Sequence, residues 1–82
     1  MILPKKHLMI EESLFGFGAF LLAQISENIS VDDLWKKYRE LHKNGIYAVS
    51  FSFDKFILTI DYLYVIGAIS INEKGEIYNA TY

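Results

Sequence analysis

Reactive side chains are few and scattered in this sequence. Cysteine is absent, which removes disulfides, thiol nucleophiles and thiolate zinc sites together. The two histidines, His7 and His42, are far apart and form no His-x-x-x-His pattern that could hold a metal. His42 falls near the end of an amphipathic run, where the negative pole of a helix favours a cation; that is a structural position rather than a catalytic one. The adjacent acids Glu11–Glu12 and Asp32–Asp33 read as first-turn partners of helix dipoles. Neighbours on a helix point in different directions and cannot share a substrate proton. Asp61 is the carboxylate that stands apart, inside an apolar run and with no base beside it, and it reads as a surface or interface residue. Gly16-Phe17-Gly18 lacks the third glycine and the preceding strand of a phosphate loop. The inventory offers no catalytic constellation, no cofactor cradle and no metal set, so a protein that is not an enzyme is expected.

Basic residues give the other candidate chemistry. Lys36, Lys37, Arg39 and Lys43, with Lys74 further on, are the set that a nucleic-acid binder would use. They are interleaved with Asp32, Asp33 and Glu40, and 8 Lys and Arg against 10 Asp and Glu leave a formal charge of −2. A solvated helix face is the simpler reading, and direct binding of nucleic acid by the isolated chain is disfavoured.

These residues must be positioned by a small body. The chain has 82 residues, enough for a single domain spanning 1–82 and too few for a (β/α)₈ barrel or a doubly wound sheet. It is 52% hydrophobic and 16% aromatic, with 22% charged, a composition that folds. A domain of this size buries only roughly 60% of its unfolded surface. Some large apolar side chains are therefore left over for a protein partner, or for a second copy of the chain in a homo-oligomer. The apolar stretch Leu14–Ala23 follows Glu11 and Glu12, has no small-x-small cleavage site after it and is too short for a bilayer. A cytoplasmic protein without a membrane segment is expected.

Periodicity supplies the elements. Residues 1–10 read as an extended arm, because Pro4 biases Leu3 towards β or polyproline geometry. A first helix starts near Glu11–Ser13 and runs through Phe15, Phe17, Ala19, Leu21, Leu22 and Ile25, ending before Asn28. Gly16 and Gly18 lie in its body, where each glycine costs about 1 kcal/mol relative to alanine; close approach of another backbone is the return. Ser30 caps a second helix, with Asp33 placed to reach back, and Val31, Leu34, Trp35, Tyr38 and Leu41 form its apolar stripe. Trp35 is expected at the centre of the helical core. Asn44-Gly45 ends this helix, and Ile46–Phe51 forms a short strand or an extended link. Ser52 caps a third helix that runs from Phe53 to about Ile66 and stops at Gly67. Ala68–Asn72 and Glu76–Thr81, around Glu73-Lys74-Gly75, read as a hairpin.

Three helices followed by a hairpin make a mainly helical α+β domain in the order of a winged helix, Ile46–Phe51 being the candidate first strand. In a DNA-reading winged helix the third helix offers polar and basic side chains to the major groove. Here it offers Lys55 against Asp54 and Asp61. At 100° per residue, Phe53, Phe56, Ile57, Ile60, Leu63 and Tyr64 share the core face, leaving Asp54, Leu58, Asp61, Tyr62 and Val65 opposite. Leu58, Tyr62 and Val65, with Asp61 among them, are therefore the expected partner-binding residues.

The opening Ile2-Leu3-Pro4-Lys5-Lys6-His7, the stretch SLFGFGAFLL (Ser13–Leu22), the SVDDLW entry to the second helix (Ser30–Trp35) and SFDKFILTIDYLYVIGAISINEKGEI (Ser52–Ile77) together resemble the small middle components of bacterial ABC-three-component systems. The resemblance covers nearly the whole chain. It implies a winged-helix-like adaptor that works beside a large ABC ATPase of the SMC/Rad50 kind and an effector protein, in defence against phage and other invading DNA. It implies no catalytic residue and no cofactor. A small winged-helix transcription regulator, using Lys36, Lys37, Arg39, Lys43 and Lys74, is the alternative.

Overall fold

Each helix among the described residues opens on a serine, and that local chemistry sets the frame. In the computed structural model, which describes residues 13–80, the hydroxyls of Ser13, Ser30 and Ser52 accept hydrogen bonds from the N–H groups of Gly16 (2.9 Å), Asp33 (3.1 Å) and Lys55 (3.2 Å). Each satisfies a donor that the first turn would otherwise leave open. The helices that follow are α1 (Leu14–Ala23), α2 (Val31–Lys43) and α3 (Phe53–Val65). Gly45 and Gly67 take φ values of 78° and 80° just after α2 and α3, the left-handed geometry that stops a helix. The extended arm expected at residues 1–10, with His7, lies outside the described residues. So do Glu11 and Glu12; because α1 begins at Leu14, its first turn holds no acid.

Three short strands, β1 (Ile29–Ser30), β2 (Ile69–Ile71) and β3 (Glu76–Asn79), form an antiparallel sheet in the order β1-β3-β2. Ile29 faces Ile77 across one pair, and Ile71 faces Ile77 across the other. Asn72 shapes the hairpin: its Oδ1 accepts from the N–H of Lys74 and of Glu76, both at 2.9 Å. Gly75, at φ 79°, completes the turn. The domain is α+β and mainly helical, as expected.

The first strand is not where β-propensity put it. Ile46–Phe51 is an extended link with no strand partner, and the strand lies at Ile29–Ser30, ahead of α2. The link finds its hydrogen bonds elsewhere. Ile46 N–H donates to the Leu41 carbonyl at 2.9 Å, the Tyr38 hydroxyl donates to the Val49 carbonyl at 2.8 Å, and Phe51 N–H donates to that same hydroxyl at 2.7 Å. Its alternation serves the core instead: Tyr47 is buried and Phe51 half-buried, while Ala48 and Ser50 face out.

Phe17 sits at the middle of the core. Its ring meets Tyr38 edge-on at 4.9 Å and stacks on Phe51 at 4.3 Å. Leu21, Leu34, Tyr38, Phe56, Ile69 and Ile77 close around it, all buried. Trp35, expected at the centre, is half-buried at the margin, against Tyr38, Phe53 and Phe56. The stripe of α2 is centred one turn later, on Tyr38, because the link comes back over that turn.

Candidate partner-binding surface

The outward face of α3 is fixed by what its inward face must fill. A Cβ added at Gly18 would stand 3.2 Å from Leu63 Cδ2 and 3.6 Å from Thr59 Cγ2, so α1 and α3 approach more closely there than an alanine would comfortably allow. Gly18 thus makes a close contact, but with side chains of α3 rather than with the backbone expected there, and Gly16 provides the capped N–H at the start of α1. Thr59, fully buried, donates its hydroxyl to the Lys55 carbonyl one turn back at 2.8 Å and so brings only its methyl to the interface. Phe56, Thr59, Ile60 and Leu63 make the buried arc.

That arc differs from the expected core face at its edges. Thr59 takes the place assigned to Tyr64, which is 55% exposed, and Phe53 is partly exposed beside Trp35. Thr59 lies three residues after Phe56 and four before Leu63, in the middle of the apolar arc, and this spacing is the signal that its polar label hid. On the outward side, Leu58 is 51% and Val65 80% exposed, and Asp54 and Asp61 are exposed with them. Tyr62 is half-buried and packs partly on the core. Tyr64 and Ile66, both exposed, extend the apolar surface at the C-terminal end of α3 beyond the residues expected there.

The basic candidates do not stay together. Lys36, Arg39 and Lys43 line a shallow depression on α2 with Trp35, Glu40, His42 and Asn44. The Arg39 guanidinium lies over the Trp35 ring at 5.6 Å. Lys37 turns away and donates to the Gln24 carbonyl at 3.0 Å, tying α2 to the end of α1. Lys74 belongs to the β2–β3 turn, in another depression lined by Glu73 and Glu76. His42 accounts for itself structurally: its Nδ1 is 2.8 Å from the Tyr47 carbonyl, and its ring stacks on Tyr38.

Among the described residues no group of three or more His, Asp and Glu is placed to hold a metal. No helix among them is long and apolar enough to cross a membrane. What the surface offers is contact chemistry: an apolar strip with carboxylates on one helix and a small cationic patch on another. A family model described as ABC-three component (ABC-3C) system Middle Component 6 matches residues 3–80. No curated protein and no solved structure matches the chain.

Proposed function

The chain belongs to the family of ABC-three component (ABC-3C) system Middle Component 6, and from that premise we propose that it is a non-catalytic adaptor linking an SMC/Rad50-like ABC ATPase to an effector in a cytoplasmic bacterial system against phage and other invading DNA. The middle component of a multi-component system works through protein partners, and the observation that carries the adaptor reading is the outward face of α3. Leu58 and Val65 stand exposed there with Asp61 between them, and nothing among the described residues covers them. Exposed apolar side chains at helical spacing are the usual equipment for docking on another protein. Tyr62 contributes from the flank, anchored by its contact with the core.

The winged-helix reading is supported by the element order α1-β1-α2-α3-β2-β3 and the sheet order β1-β3-β2. In that arrangement α3 would be the groove-reading helix, and its two carboxylates oppose a phosphate backbone. The patch of Lys36, Arg39 and Lys43 is the observation on which the DNA-binding alternative rests.

The experiment is co-expression of the tagged chain with the ATPase and effector encoded at its own locus. Leu58→Asp with Val65→Asp is expected to abolish co-purification while circular dichroism of the free chain stays unchanged. These two positions are better probes than Tyr62, whose replacement would also disturb the core. Undiminished co-purification of the folded double variant refutes the reading.

A further inference from the structure

We infer that the partner segment docking on the outward face of α3 is basic and apolar, presenting one Lys or Arg to Asp61 between apolar side chains that cover Leu58 and Val65. The inference rests on the adaptor reading above and specifies the chemistry of the partner. Asp61 is the residue that the fold itself does not explain. Asp54 lies in the first turn of α3, where the helix dipole favours an acid. Asp61 lies one turn before the last residue, Val65, towards the negative end, where aspartate is a poor helix former with the dipole against it. Among the described residues, no ion pair or hydrogen bond holds its carboxylate.

Asp61 is also placed where a contact would need it. Leu58 precedes it by three residues and Val65 follows it by four, so the carboxylate lies between two exposed apolar side chains on one helix face. A carboxylate in such a strip is poorly matched by an apolar partner, which would desolvate it unpaired. An acidic partner would repel it. A second copy docking α3 against α3 would bring further carboxylates to the same face. A cation flanked by apolar groups satisfies both features, and the guanidinium of Arg does so with two parallel hydrogen bonds.

The test is a titration of the full chain against the purified system component it co-purifies with, at several salt concentrations, for the wild type, Asp61→Asn, Asp61→Lys and the Leu58→Asp/Val65→Asp pair. Asp61→Asn should weaken binding about tenfold, in line with the loss of a charge-assisted contact, and should flatten its salt dependence. Asp61→Lys should weaken it further. Melting of the free chain should stay level or rise for both, since a residue unfavourable to the helix is removed. Loss of binding by the Leu58/Val65 pair, with Asp61→Asn unchanged in affinity and salt slope, overturns this inference and leaves the adaptor reading standing. Retention of binding by all variants overturns both. Tighter binding by Asp61→Lys shows an acidic partner and overturns the inference. A fall in the melting point of free Asp61→Asn places the cation within this chain and overturns it too. So does an Asp61-dependent dimer of the free chain that Lys36→Glu with Lys43→Glu dissolves, because the occupant is then a second copy.

Discussion

Tyr38→Phe removes a single oxygen from the middle of the molecule and leaves the ring in place. That oxygen donates to the Val49 carbonyl at 2.8 Å and accepts from Phe51 N–H at 2.7 Å, so it closes the extended link onto α2 in place of a neighbouring strand. Two such bonds contribute about 1 kcal/mol each net, and the carbonyl and N–H left behind lie on a half-buried segment where water replaces the hydroxyl only in part. The expected loss is therefore about 2–3 kcal/mol, a large share of the roughly 4–12 kcal/mol that a domain of this length has to lose. The edge-on contact of ring 38 with Phe17 should persist in the variant, which separates the hydroxyl from the packing. Urea denaturation followed by Trp35 fluorescence reads the change, with the m-value as the check that the unfolding transition is the same one. A loss below about 0.5 kcal/mol, at unchanged m, would refute the claim that this hydroxyl holds the link.

Three further outcomes follow from the same structure. Trp35→Ala should cost about 2 kcal/mol by denaturant unfolding, below the range for emptying a fully buried aromatic site, because the indole is half-exposed at the core margin; a loss above about 4 kcal/mol would return Trp35 to the centre. Gly18→Val should destabilise by about 2–3 kcal/mol in the same assay, since its branches enter space held by Leu63 and Thr59, and a neutral result would contradict the close approach of α1 and α3. The free chain should bind duplex DNA no more tightly than about 10⁻⁴–10⁻⁶ M at physiological salt by fluorescence anisotropy; sub-micromolar binding lost on Lys36→Glu with Lys43→Glu would favour the regulator alternative.

What the sequence made legible is what short-range chemistry decides. Ser30 and Ser52, with Asn44-Gly45 and Gly67, bound α2 and α3 within a residue of their observed limits, because capping acts within one turn. The hairpin is equally local, governed by Asn72 and Gly75. The strand at Ile29–Ser30 was not legible: two residues carry no alternation, and their role depends on β3, which lies more than forty residues later. Ile46–Phe51 carried the stronger β pattern and was satisfied by a tyrosine hydroxyl instead.

The same division runs through the candidate surface. The outward position of Leu58, Asp61 and Val65 follows from helical periodicity alone. Thr59 falls in the same period, between Phe56 and Leu63, but its polar side chain hides it there, and only Gly18 on another helix shows the room its methyl takes. Lys37 left the basic set for a comparable reason: its partner is the carbonyl of Gln24, at the end of α1.

Hydroxyl-radical footprinting of the complete complex, compared with the free chain, tests the adaptor claim most directly. Leu58 and Val65 are oxidisable and exposed in the free chain, and burial at an interface should lower their labelling severalfold, whereas exposed Phe15 on α1 keeps its rate. Equal labelling of Leu58 and Val65 in the free and bound states, with protection at Phe15 or along α2 instead, would contradict the assignment of α3 as the docking helix.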